Sequence, residues 1–100
     1  MSEAVKRPLA VPTVNLNGTS GKALLEELIT AMEAVSAATS ALQRITVNGR
    51  DFHVQEPEDG KPVIWRALDE HRARVAKLME VHEELSTIAV KVMEQTGGRG

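Results

Sequence analysis

The chain contains no cysteine and no tyrosine, and apart from its histidines the only aromatic rings are Phe52 and Trp65. Without cysteine, disulfides and thiolate metal sites are excluded. With only 2% aromatic residues inside a 42% hydrophobic fraction, the apolar content is Leu, Val, Ile, Ala and Met, which suits helix-on-helix packing better than a β-sandwich. Neither sign of charge dominates. A formal net charge of −2 gives no global basic field, so extended nucleic acid is not an expected partner. No apolar run approaches the roughly 20 residues that span a bilayer, so no membrane partner is expected either. The segment Met1 to Pro8 carries charges and lacks the apolar stretch of a secretory signal, which makes the cytoplasm the expected location. One hundred residues suit one small domain with a limited core.

Two long stretches carry helical periodicity. Leu25, Leu28, Met32, Val35, Thr39 and Leu42 follow alternating steps of three and four, with Ile29 and Ile45 beside them, and predict a helix over about 21–45. Ser20 is its candidate N-cap. Ala34, Ser36, Ala37, Ala38, Ser40 and Ala41 make its second half small enough for a neighbouring helix to approach closely. A second seam, Ile64, Leu68, His71, Val75, Leu78, His82, Leu85, Ala89 and Val92, predicts a helix over about 62–95, with Pro62 in its first turn and glycines after its end.

The expected fold is therefore all-α. A long antiparallel helical hairpin occupies 13–95, preceded by a short extended N-terminal arm at 1–12 and followed by a flexible tail at 96–100. The connector, 46–61, leaves two readings open. Asn48-Gly49 between β-prone residues is a hairpin-turn signal and would give a small β-ribbon, whereas two short strands alone are marginal and a plain loop serves equally. Glu56 to Gly60, with Pro57, reads as a second turn.

Helices of roughly 37 Å and 50 Å can cover one stripe of each other and little more. Ile29, Trp65, Val81 and Ile88 flank the seams and would stay wet in a single copy. A contiguous patch of that kind marks an interface, so the expectation is a homo-oligomeric helix bundle, a dimer or higher.

Two loops could hold a ligand. Asn17-Gly18-Thr19-Ser20-Gly21-Lys22 leads into a helix N-terminus, where unpaired N–H groups attract anions. Asn17, Thr19 and Ser20 add donors, and Lys22 opposes the helix dipole unless an anion relieves it. The simpler reading is a capped helix start with Lys22 in water. It is not a Walker motif, which needs four residues between Gly and Gly-Lys and then Ser or Thr; here there are two, and Ala23 follows. In Asn48-Gly49-Arg50-Asp51-Phe52-His53, Arg50 can fork onto a phosphate, Phe52 can stack on a base, and Asp51 can accept from a ribose or base. The plainer alternative pairs Arg50 with Asp51 or Glu56 and lets Phe52 plug the hairpin end.

The second helix is basic in its first half, with Arg66, Arg72, Arg74 and Lys77, and acidic later, with Glu80, Glu83, Glu84 and Glu94. That is ordinarily a solvated face, though it would also bring Arg66 to a pocket. His71 and His82 lie about three turns apart and cannot share a metal within one helix, so no metal and no cofactor are expected. No cysteine nucleophile, Gly-x-Ser-x-Gly elbow or cleft carboxylate pair suggests catalysis, and the chain reads as a binding protein, not an enzyme.

Leu16-Asn17-Gly18-Thr19-Ser20 opening an Ala-rich helix, followed by Asn48-Gly49-Arg50-Asp51-Phe52, resembles a set of small helical accessory proteins of tailed phages and prophages. The resemblance spans about Val11 to Val92. In that group tyrosines often stand where this chain has Phe52 and His53, so a stacking role does not carry over to His53. A compact phage accessory protein implies, by association, a role against host defence in the host cytoplasm. Three functions follow as expectations. The first is a sponge for a host nucleotide signal, cyclic or ADP-ribose-like, bound between subunits by Asn17, Thr19, Ser20 and Lys22 of one chain and Arg50, Asp51, Phe52 and Arg66 of another. The second is an inhibitor or adaptor that binds a host defence protein through a helix face. The third is a virion or assembly component.

Overall fold

A computed structural model describes residues 8–15 and 17–97. In chain order it consists of helix α1 (Gly21–Gln43), a single 3-10 turn (Gly49–Asp51) and helix α2 (Val63–Gly97). The two long helices pack against each other, and no strand occurs among the described residues. The helix limits fall within two residues of those expected from periodicity. Most of the expected N-terminal arm, Leu16 and the last three residues lie outside the described residues.

Helix α1 starts where its sequence offers a cap. The Ser20 hydroxyl accepts from the Ala23 N–H at 3.1 Å, and the Ser20 carbonyl accepts the first helical bond from Leu24. One of the unpaired donors of the first turn is thereby satisfied. At the other end, Ile45 N–H closes on the Leu42 carbonyl. All six residues of the α1 stripe and all nine of the α2 seam are half-buried or buried, as the spacing requires.

The chain divides into two compact units, Met1–Glu33 with His82–Gly100, and Ala34–Val81. In the first, Gly21 is buried and Val92 is fully buried, with Ala89 close to it in burial. A β-carbon on Gly21 would collide with the Thr96 methyl, and Val14 lies near as well, so the glycine permits close approach of the two helices. Before α1, the segment around Pro12–Val14 is clasped by one side chain. The Gln95 amide oxygen accepts from Val14 N–H at 2.8 Å, and its nitrogen donates to the Pro12 carbonyl at 2.9 Å. Gln95 thus takes the place of a neighbouring strand for a segment that has none.

In the second unit, Val63 is buried at the start of α2, and Leu42, Val47, Phe52, Leu68 and Val75 are half-buried. The β-ribbon left open at Asn48-Gly49 does not form. The Asn48 side-chain oxygen accepts from Arg50 N–H at 2.9 Å and starts the 3-10 turn instead, because an asparagine that bonds two residues ahead competes with strand pairing. The two-residue primed turn sits later. Asp59 and Gly60 both have positive φ, 50° and 76°, and Glu58 and Lys61 exchange both backbone hydrogen bonds at 2.8 Å. Asp-Gly is suited to that geometry.

Burial is thin. Among the described residues only Gly21, Val63, Ala89 and Val92 are buried, while Ile29, Trp65, Met79, Val81, Val90 and Met93 are large, apolar and exposed. Ile88, expected to be wet, is half-buried. The small residues of α1 from Ala34 to Ala41 named above are exposed, so α2 does not cover them.

Candidate functional site

The residues singled out from sequence fall into two groups. Asn17, Thr19, Ser20 and Lys22 belong to the first unit; Arg50, Asp51, Phe52 and Arg66 belong to the second.

In the first loop, Asn15 organises the backbone. Its side-chain oxygen accepts from Asn17 N–H at 2.9 Å, its side-chain nitrogen donates to the Thr13 carbonyl at 3.0 Å, and its own carbonyl accepts from Gly18 N–H. Asn17, Thr19, Ser20 and Lys22 are all exposed. The Ser20 hydroxyl is engaged as the cap. Gly21 packs against Thr96, so its missing side chain serves the approach of the two helices. Two features of this loop therefore have structural reasons, and Lys22 remains an exposed cation with no carboxylate partner among the described residues.

In the second loop, Arg50 and Asp51 are exposed and Phe52 is half-buried. The 3-10 turn presents Arg50 without an ion pair: neither Asp51 nor Glu56 holds it. His53 bonds through Nδ1 to the Arg50 carbonyl at 2.8 Å, which ties the ring to the turn.

Arg66 stands differently. Its Nε and one terminal nitrogen fork onto the Glu58 carboxylate at 2.7 and 2.8 Å, and its other terminal nitrogen meets Glu70 at 2.7 Å. The Arg66 hydrogen bond holds the Glu58 carboxyl below its ordinary pKa, with the arginine charge adding to that and desolvation opposing it. The Arg66 guanidinium is in turn pushed further towards its charged form, first by Glu58 and then by Glu70. This clasp fastens the Asp59-Gly60 turn to the start of α2, and any ligand anion would have to displace two carboxylates from Arg66.

Sequence reasoning missed one concavity. An open groove of about 290 Å³ in the second unit is lined by Ile45, Val47, Leu68 and Val75, with His71 and Arg72 among its walls. Its volume is at the small end of ligand sites. The seam spacing already placed Leu68, His71 and Val75 on one face. What was not legible was the turn of the chain after Gln43 that brings Ile45 and Val47 beside them. No three His, Asp or Glu side chains gather as a metal site among the described residues, and no helix there is long and apolar enough to cross a membrane.

No family model, no curated protein and no solved structure matches this chain.

Proposed function

We propose that this chain is a non-enzymatic binding protein that sequesters a host nucleotide signal, cyclic or ADP-ribose-like, in pockets between its own copies, and that it serves a phage against host defence. The observation that carries the reading is the pairing state of the cations. Arg66 and Arg72 face carboxylates, at 2.7 Å and 3.5 Å, whereas Lys22 and Arg50, like Arg44, Lys61, Arg74, Lys77 and Lys91, have none among the described residues, and of these only Lys22 and Arg50 lie in the two candidate loops. Exposed, unneutralised cations beside backbone donors suit phosphate oxygens. The groove at Val47, three residues before Arg50 in the chain, offers an apolar wall on which a flat ring could rest. Copies in an oligomer bring the Lys22 loop of one chain to the Arg50 loop of another. Arg66 is left out of this pocket, since Glu58 and Glu70 already neutralise its charge. The phage context rests on the resemblance alone.

Isothermal calorimetry against a panel of cyclic dinucleotides and ADP-ribose variants tests the proposal. We expect saturable binding to at least one member, weakened about tenfold or more by Lys22→Ala and by Arg50→Ala, the loss of one charge-assisted contact each. Flat titrations across the panel would remove it.

A second reading has its own observation. Trp65 and Met79, each 55% exposed on one face of α2, and Val81, 41% exposed on the opposite flank, are apolar positions on which another protein could sit. An inhibitor or adaptor of a host defence protein would lose activity on Trp65→Glu or Val81→Glu and tolerate both alanine variants of the loops.

A further inference from the structure

We infer that one exposed face of α2 pairs with the same face of a second copy, antiparallel, about a two-fold axis passing at Met79. The inference deepens the reading of the chain as a self-assembling binding protein and rests on it. Beside the seam that packs on α1, α2 carries a second periodic stripe: Trp65, Asp69, Arg72, Ala76, Met79, Glu83, Ser86, Val90 and Met93, in unbroken alternating steps of four and three. That is the spacing by which a helix presents one face to another helix along its length. Every residue of it is exposed except Ser86, which is half-buried. Its large apolar members, Trp65, Met79, Val90 and Met93, are 48–55% exposed.

The charges identify the occupant. Met79 divides α2 into a half bearing Arg66, Arg72, Arg74 and Lys77 against Asp69 and Glu70, and a half bearing Glu80, Glu83, Glu84 and Glu94 against Lys91, so the first is net positive and the second net negative. A two-fold axis at Met79 lays each half on the other. Trp65 and Met93 are equidistant from Met79, so each tryptophan meets the partner copy's Met93, and sulfur on an aromatic edge is a favourable contact. Arg72, which stands 3.5 Å from Asp69 of its own chain, falls about one turn from the partner copy's Glu83, within reach of a long guanidinium side chain. Met79 meets its own symmetry mate. A parallel pairing would instead set Arg72 on Arg72 and Glu83 on Glu83, like on like. The face is self-complementary in one orientation only, which is the property of an isologous interface.

The absence of native cysteine makes the test clean, because each introduced thiol is the only one. Met79→Cys, Trp65→Cys and Met93→Cys replace exposed side chains and leave the α1–α2 seam intact. After oxidation of the full chain with diamide, we expect Met79→Cys to form a covalent dimer with itself. Trp65→Cys alone should remain uncrosslinked, because its symmetry mate lies about 42 Å of helix away. An equimolar mixture of Trp65→Cys and Met93→Cys should form the mixed dimer. If the protein sediments as an oligomer but Met79→Cys does not link, or Trp65→Cys links to itself, the axis is wrong while self-assembly stands. A well-folded single copy in the same sedimentation run would overturn both.

Discussion

At the start of α1, Gly21 and Thr96 approach so closely that a β-carbon has no room, and Gln95 reaches back to hold the backbone at Pro12 and Val14. In the connector, by contrast, Arg66, Glu58 and Glu70 meet in water, each about half exposed, and the turn they fasten is built from neighbours in sequence. The first region is held by shape and by contacts between residues far apart in the chain. The second is held by local hydrogen bonds and screened charge. Close packing resists salt and acid but tolerates no added atom, while an exposed ion cluster tolerates substitution and responds to pH. The difference predicts which changes the protein will notice.

The largest effect should come from Gly21→Ala. Overpacking against the Thr96 methyl is expected to cost about 1–3 kcal/mol, read by urea denaturation. Thr96→Ser removes that methyl and should restore most of the loss in the double variant. If it does not, the glycine is there for something other than helix approach. Gln95→Ala comes next. It removes two hydrogen bonds and should cost about 1–2 kcal/mol, with faster hydrogen exchange at Val14 N–H and no change at the Asp59-Gly60 turn. Uniform loss across the chain would show that the two regions are not independent.

The smallest effect concerns pH. Because the folded pKa of Glu58 is lowered, its contribution to holding the turn is present above the ordinary carboxyl value of 4.5 and is lost as pH falls through the lower folded value. Arg66 stays charged throughout, so only the carboxylate side titrates. Nuclear magnetic resonance should show Lys61 and Trp65 signals moving in that acid range while Gly21 and Val14 stay still. Glu58→Gln should abolish the movement. Movement of both sets together would erase the contrast.

How far this could be read from sequence follows the same division. The helix stripes were legible because the apolar spacing of Leu25 to Leu42 and of Ile64 to Val92 is local information repeated over many turns. Ser20 was legible because a hydroxyl three residues before a helical N–H is a local motif. The turn at Glu56 to Gly60 was legible from its Pro and Gly, but not its hairpin geometry: Asn48-Gly49 and Asp59-Gly60 both carry the hairpin signal, and only at the second do the flanking residues, Glu58 and Lys61, exchange hydrogen bonds. Gln95 looked like one more polar residue near a helix end, and nothing in its neighbours announced Pro12 and Val14. Gly21 reads in sequence as one more residue of a polar loop, because its packing partner, Thr96, lies at the other end of the sequence. At Arg66 the basic cluster drew attention and the answering Glu58 and Glu70 did not. Among the candidate ligand residues, those whose chemistry is met inside the chain were the ones sequence could not sort from Lys22 and Arg50.

The proposed assembly, and any pocket it would build, rests on the uncovered apolar side chains of α2, so their fate is the most direct question. Sedimentation velocity of the full chain at micromolar concentration, with helicity confirmed in the same sample, should give a defined species at two or more times 10.9 kDa. A well-folded species at 10.9 kDa itself would contradict the account.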